Sequence, residues 1–370
     1  MQRIKQKLRD WFGKEIVYVR ITIRILKRII KEYLKKNNYK YPHILQLPIT
    51  YKCNFDCVMC GMKKQKELKD FSADELGIIL ENPLFSKIES VGLNGGEPFL
   101  KKDLIECVDV IIKSCPRLQQ IDIISNGYCT DIIIEKMIAI KKMCVQNHIR
   151  VGISFSLDGI DDMQDLMRGK TEAYEHLMET YRRIRENTEL YCDRLGFVCT
   201  ITTYNISRIG EVELWARKNN ESVSYNLATI HKRITNEDKY NDFSVLIHPG
   251  KKMLAQEFFY KKFLETREEK YFALFLYLKE GKRYACCDFE HGKGVTLTPN
   301  GGIGYCATFS KEIGNASFES AEKLFVNNRK YREKELLKSC SGCSHYIYGL
   351  SIKGLFKLRK ELVNETIRKR

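Results

Sequence analysis

A chain of 370 residues can bury one large core or two unequal domains, and its changes of character along the sequence favour two. Fourteen cysteines in that length, with no secretory leader before them, exclude a disulfide-built secreted scaffold and point to a reducing, cytoplasmic compartment. The excess of 63 Lys and Arg over 47 Asp and Glu, a net charge of +16, favours an acidic partner without choosing among phosphorylated small molecules, anionic lipid, acidic peptide and nucleic acid.

In chain order, residues 1–43 read as a basic N-terminal extension. From Ile16 to Lys36, Val19, Ile23, Leu26, Ile30 and Tyr33 recur at spacings of three and four, while Arg20, Arg24, Lys27, Lys31 and Lys35 repeat on another face. That pattern predicts a basic amphipathic helix. Charges interrupt it too often for a membrane span, so it either packs on the protein body, docks a partner, or lies on an anionic surface such as the inner face of a membrane.

The extended run Ile44 to Tyr51 leads into Cys53-Asn54-Phe55-Asp56-Cys57-Val58-Met59-Cys60, with cysteines at offsets of four and three. Three thiolates on so short a loop can hold three irons of a cubane [4Fe-4S] cluster and leave the fourth iron open to a substrate or cofactor. A zinc loop with its fourth ligand elsewhere, or three unrelated core thiols, would give the same spacing. Cys107, Cys115, Cys129, Cys144, Cys192 and Cys199 lack ligand spacing and read as small core residues.

Further extended runs follow at Lys87 to Leu93, Leu118 to Ser125, Ile149 to Leu157, Leu195 to Thr203 and Ser222 to Ala228. Helical stretches near Ser72 to Leu80, Lys101 to Ser114, Thr130 to Gln146, Glu172 to Glu186 and Ile209 to Asn219 separate them, several opened by Ser, Thr or Asp. Such alternation predicts an α/β fold with a parallel sheet, either doubly wound or a partial barrel. Within it, Gly95 and Gly96 permit backbone to approach a ligand closely, Glu97 can accept from a cationic amino group, and Arg168 can fork onto a carboxylate. Asp158 reads equally well as a helix cap, and Ser156 as a hydroxyl satisfied by backbone.

Residues 229–283 form a helical connector in which Glu257 to Leu278 reads as one or two helices with an aromatic core stripe. Beyond it, Cys287, Cys306 and Cys340-Ser341-Gly342-Cys343 supply four thiolates, as suitable for zinc as for a fully ligated cubane, and Cys286 could replace Cys287. Residues 284–346 thus read as a second metal-binding domain. The basic run 347–370 reads as a solvated terminal helix, and without interleaved aromatics it suggests no nucleic-acid site.

The cysteine loop, with Met59 before its last cysteine, resembles the signature of the radical S-adenosylmethionine (radical SAM) enzymes. Gly95-Gly96-Glu97-Pro98, Ser125-Asn126-Gly127, Ser156-Leu157-Asp158-Gly159 and Met167-Arg168-Gly169 resemble, in order, that family's later motifs. The resemblance covers roughly 44 to 345. It implies a radical SAM core over 44–228, built as a partial (βα)6 TIM-like barrel with its chemistry at the carboxyl ends of the strands. It also implies a [4Fe-4S] cluster on Cys53, Cys57 and Cys60. Reductive cleavage of S-adenosylmethionine there would yield a 5'-deoxyadenosyl radical that abstracts a substrate hydrogen. Gly95, Gly96, Glu97, Ser125, Asn126, Ser156, Asp158, Arg168 and Asn205 are the implied S-adenosylmethionine pocket. The second cysteine set resembles the half-size Twitch domain related to SPASM, implying a second, auxiliary [4Fe-4S] cluster on Cys287, Cys306, Cys340 and Cys343. A reductant such as flavodoxin or ferredoxin is the implied electron source. The expected reaction is oxidation or rearrangement of an anionic small molecule, sugar or lipid intermediate; the alternatives are peptide modification and a non-enzymatic metal-binding role.

Overall fold

The computed structural model describes residues 19, 22–30 and 40–368. Of the N-terminal helix expected over Ile16 to Lys36, Arg20, Lys31, Tyr33 and Lys35 lie outside the described residues.

Six strands form in sequence: β1 (Ile44–Thr50), β2 (Ser90–Gly95), β3 (Gln120–Ser125), β4 (Arg150–Ser156), β5 (Arg194–Ile201) and β6 (Val223–Leu227). They pair in parallel in the order of the chain. A doubly wound sheet requires the strand order to reverse at a switch point. This one never reverses, and β6 does not return to β1, so the fold is an open, partial barrel. The helices Ala73–Leu80, Leu104–Ser114, Thr130–Gln146, Ala173–Glu186 and Ile209–Asn219 make the crossovers. The first is opened by a capping box in which Ser72 Oγ accepts from the Glu75 amide at 3.1 Å and the Glu75 carboxylate accepts from the Ser72 amide at 2.7 Å. The apolar residues alternate along the strands: Leu45, Leu47, Ile49, Val91, Leu93, Ile121, Ile123, Val151, Ile153 and Phe155 are all fully buried and share one face, while Gln46, Asp122 and Ser154 between them are half-buried.

At the carboxyl end of β1 the pairing slips: Pro48 faces Asn94, but Thr50, not Ile49, faces Gly95. Pro48 has no amide hydrogen to give the ladder, and such residues settle at irregularities. The slip lies just before the cysteine loop.

The sheet does not end at β1. Gly294–Leu297 pairs with β1 in parallel, Gly302–Gly304 pairs antiparallel with Gly294–Leu297, and Gly314–Asn315 adds a further antiparallel strand, giving nine in all. The region expected as a separate auxiliary domain therefore extends the barrel sheet. Short glycine-rich strands carry too little periodicity for a sequence pattern to reveal them.

The chain forms two compact units. One contains 40–255 and 288–345, and so holds the whole nine-stranded sheet; the other contains 22–30, 256–287 and 346–368. In the second unit the aromatic run becomes two helices, Pro249–Thr266 (from residue 256 onward) and Glu269–Glu280. Its rings are core, as expected: Phe259, Phe263, Tyr271 and Phe272 are buried, and Phe263 and Phe272 lie 4.9 Å apart. The C-terminal helix Ile352–Arg368 is not simply solvated, because Leu355 and Leu358 are buried and Gly354 passes so close to Tyr284 that a Cβ would meet its carbonyl oxygen at 2.4 Å. The described part of the N-terminal helix buries Ile25 and places Arg28 near Glu269 and over the Tyr348 ring. Its expected apolar stripe faces outward instead. Among the described residues no helix is long and apolar enough to cross a membrane.

Truncating Phe155 removes a fully buried ring that sits 6.2 Å from Phe197. Phe155→Ala is expected to cost about 3–5 kcal/mol. Ile78→Ala, on a side chain 71% exposed, is expected to change stability by less than about 0.5 kcal/mol. Urea denaturation of the two variants checks the contrast.

Candidate active site

The cysteine loop is built at the carboxyl end of β1 and fastened through its backbone. Gly96 and Glu97 donate their amides to the carbonyls of Thr50 and Lys52, both at 2.8 Å. A Cβ on Gly96 would lie 2.0 Å from the Lys52 oxygen, and Gly95, at φ +129°, would bring one 2.6 Å from the Thr50 oxygen. This glycine pair closely approaches the chain entering the cysteine loop, and substitution there must displace that loop. Gly169 does the same on the opposite side, at φ +57°, with a Cβ position 2.1 Å from the Asp56 oxygen.

The loop's outer side is clamped by the segment after β6. Lys239 Nζ donates to the carbonyls of Cys60 at 2.8 Å and Cys57 at 3.4 Å, and Asn236 Nδ2 donates to the Met59 carbonyl at 2.9 Å. Val58 donates its amide to the Met167 carbonyl at 3.1 Å. Underneath, Met59, Met163, Met167, Ala228 and Phe243 form an apolar cluster against which Cys57 and Val58 pack. Asn236 and Lys239 lie in the expected connector, and nothing in their sequence surroundings marked them for the site.

Glu97 is buried, and its carboxylate accepts from the Asn126 amide at 2.7 Å, the Ser125 hydroxyl at 2.9 Å and the Phe99 amide at 3.2 Å. Rather than standing free for an outside amino group, it ties the end of β2 to the end of β3. Burial pushes its pKa up to about 7, against the pull of those three donors. Asn126 in turn donates from Nδ2 to the Asn54 side chain at 2.8 Å, reaching the cysteine loop itself.

At the end of β4, Asp158 accepts from the Thr200 amide at 2.6 Å and pairs with Arg168 at 2.7 Å, so it does not cap the following helix. Burial raises its pKa, and Arg168 opposes that shift. Arg168 forks in the manner anticipated, but onto protein groups: one nitrogen meets Asp158, and Nη1 lies 3.8 Å from Cys57 Sγ. Its Nε is buried with no hydrogen-bond partner. Asn205 donates to the carbonyls of Asp158 and Thr200, both at 2.9 Å, and accepts from the Thr202 amide at 2.8 Å, joining the ends of β4 and β5. The Ser156 carbonyl accepts from Gln164, whose Oε1 receives the amides of Asp158 and Gly159. Gln164 is fully buried, and no sequence pattern distinguished it.

Cys53, Cys57 and Cys60 are free, half-buried thiols. Burial pushes Cys53 up to about 12 and Cys57 up to about 11, with Arg168 pulling Cys57 back down. Three soft donors on one clamped loop, with a cation at one of them, fit an iron–sulfur cluster. Among the described residues no three His, Cys, Asp or Glu side chains converge on a single ion. A cubane needs no such convergence, since each thiolate binds its own iron.

Of the second set, Cys306, Cys340 and Cys343 belong to the unit that contains the barrel, with Cys306 after the strand Gly302–Gly304 and the other two in one turn closed by Cys343 N to Cys340 O at 3.1 Å. The His345 amide donates to Cys343 Sγ at 3.3 Å, and the His345 ring lies 5.6 Å from that of His231. His231 Nδ1, Thr308 Oγ1 and Ser344 Oγ are buried here without hydrogen-bond partners. Cys287 ends a segment of the other unit, where the neighbouring Cys286 directs its thiol to the Leu350 carbonyl at 3.6 Å.

Thiols at the carboxyl end of the first strand, with the ends of β2 to β5 hydrogen-bonded around them, define a barrel protein whose chemistry sits at its strand ends. Residues 47–214 match the Radical SAM superfamily, and the chain carries a radical SAM domain, whose cofactors are S-adenosylmethionine and a [4Fe-4S] cluster. GTP 3',8-cyclase of Pasteurella multocida (strain Pm70) is 30% identical over 158 residues, which is 41% of this chain and 46% of that protein. A probable GTP 3',8-cyclase of Methanococcus maripaludis is 32% identical over 121 residues, 32% of this chain and 37% of that protein. The chain therefore spans less than half the length of these curated relatives. In structure it is similar to anSMEcpe with bound AdoMet (TM-score 0.58, 15% identity, 88% of this chain and 96% of that one). It is also similar to Streptococcus suis SuiB bound to precursor peptide SuiA (TM-score 0.56, 14% identity, 88% and 75%). The partial barrel with an appended C-terminal region is common to them.

Glu97 makes stability depend on pH. Between its unfolded value of 4.5 and about 7, the folded chain holds a proton there that the unfolded chain has released, so this group's contribution to stability falls as pH rises through that window. Denaturant titrations of the metal-free chain at about pH 5 and about pH 8 are expected to show a loss that Glu97→Gln, which cannot ionise, lacks.

Proposed function

We propose that the chain is a radical SAM oxidoreductase that holds its [4Fe-4S] cluster on Cys53, Cys57 and Cys60 and removes a hydrogen from an anionic small molecule, sugar or lipid intermediate, leading to oxidation or rearrangement. The observation that carries this reading is the convergence of β2, β3, β4 and the segment after β6 on one loop bearing three free thiols. When bound, the cluster and S-adenosylmethionine supply one-electron cleavage of the sulfonium and hydrogen abstraction. The chain supplies position. Gly95 and Gly96 set the loop's height over the sheet, and Glu97, Ser125 and Asn126 fix the rim beside it. Ser156, Asp158, Arg168 and Asn205 fix the opposite rim, where Arg168 keeps a cation beside Cys57. A flavodoxin or ferredoxin serves as reductant.

An anionic substrate is supported by the charge of +16 and by relatives whose name carries GTP, a nucleoside triphosphate. A second reading, peptide modification, is favoured by the likeness over 88% of the chain to SuiB in complex with its precursor peptide. Anaerobically reconstituted protein given dithionite and S-adenosylmethionine is expected to form 5'-deoxyadenosine, and Cys53→Ala/Cys57→Ala/Cys60→Ala is expected to form none. Undiminished product in that variant defeats the reading, and metal binding without any product would favour a non-enzymatic protein. Extracts labelled at non-exchangeable C–H positions then discriminate substrates. Label reaching 5'-deoxyadenosine from an anionic metabolite supports the first reading, and label from a peptide alone supports the second.

Cys287, Cys306, Cys340 and Cys343 are proposed to hold an auxiliary cluster that accepts the electron left on the substrate. Four protein ligands leave it no open iron for S-adenosylmethionine. Cys340→Ala/Cys343→Ala is expected to lose about four irons while keeping S-adenosylmethionine binding and losing substrate oxidation. Normal turnover without those irons would exclude the redox role, and zinc in their place would change the metal.

A further inference from the structure

The N-terminal helix packs by the wrong face for a buried amphipathic helix. At 100° per residue, Val19, Ile23, Leu26 and Ile30 fall within about 60° of arc. They are 52%, 44%, 54% and 57% exposed, and Ile29 beside them is 42% exposed. The side turned to the protein instead holds Ile25, 4% exposed, and Arg28, whose guanidinium reaches Glu269 and the Tyr348 ring. An ordinary surface helix hides its apolar stripe and shows its charges. Here the stripe is shown.

What borders the stripe indicates its occupant. Exposed Lys27 lies next to it around the helix, Arg24 further round is 3.5 Å from Glu269, and segment 22–30 contains no acidic residue. The same unit exposes Phe356, 50%, on the C-terminal helix between exposed Lys353 and Lys360. Apolar side chains projecting among cations, with no membrane-spanning helix among the described residues, match an interfacial helix lying in the plane of an anionic bilayer. The long stems of Lys and Arg let their charges stay at the headgroups while the apolar side chains enter below. A second copy of this chain would bring the same cations, on a body of net charge +16, against themselves.

We propose that this helix is a peripheral membrane-docking surface, with anionic phospholipid as its occupant. The docking is independent of the radical chemistry and would concern where the protein works. The full reconstituted chain is mixed with vesicles of phosphatidylcholine alone or containing phosphatidylglycerol, and partition is read by co-sedimentation. Binding is expected only to the phosphatidylglycerol vesicles, weakening with added salt. Ile23→Ser/Leu26→Ser/Ile30→Ser and, separately, Lys27→Glu are each expected to weaken it about tenfold or more while leaving the melting temperature unchanged. Absence of binding by the wild type, or equal binding by the triple variant, would overturn the proposal. So would a concentration-dependent dimer in light scattering that the triple variant abolishes, since a second copy would then cover the stripe. Formation of 5'-deoxyadenosine without vesicles is measured in parallel, so failure of the radical reading and failure of the docking surface are told apart.

Discussion

The buried carboxylate of Glu97 is the constraint on which the active end of this barrel depends. A carboxylate without water must find donors, and burial of an unpaired one costs several kcal/mol. Glu97 finds three, two of them main-chain amides, and in doing so fixes the ends of β2 and β3 against each other. The same device recurs around the rim. Asn205 joins the ends of β4 and β5, Gln164 closes the turn after β4, and Asp158 takes the Thr200 amide while holding Arg168. Each is a side chain satisfying backbone that the sheet has just released. Strand ends lack ladder partners, and buried polar groups there have to be supplied from side chains.

This gives most of the motif residues two duties that physical chemistry cannot separate. A residue that fixes the rim also shapes whatever sits within it. Arg168 is the clearest case: its pairing with Asp158 holds it at Cys57, and the remaining Nε is the polar atom left without a protein partner. The cysteine loop is bound by comparable means, through main-chain carbonyls and close glycine contacts, so its thiols are left free while its path is set.

Much of this architecture was legible in the sequence. Thr130–Gln146 and Ile209–Asn219 form over the expected residues, because their apolar positions repeat at helical period between clear turns. β1 is equally regular. The motif residues from Gly95 to Asn205 do gather around the cysteine loop, although several serve backbone where a ligand contact was expected. Other features left no mark. Lys239 and Asn236 come from a stretch of short turns with no periodicity, and Gln164 is one of four polar residues on the short helix Asp162–Arg168. Their roles arise from tertiary placement, which local pattern does not encode. The outward face of helix 22–30 is a related case, since periodicity identifies an apolar face without telling what it meets.

The parallel pairing of Gly294–Leu297 with β1 has a consequence for dividing this protein. A break near residue 283 looks natural in the sequence, yet it would strip β1 of a hydrogen-bonded neighbour along Ile44, Leu45 and Gln46. An exposed, apolar edge strand is a template for pairing with other chains. The barrel shortened at that point would carry such an edge on the very strand that presents the cysteine loop. Aggregation of the fragment, more than loss of any single ligand, would then separate it from the whole.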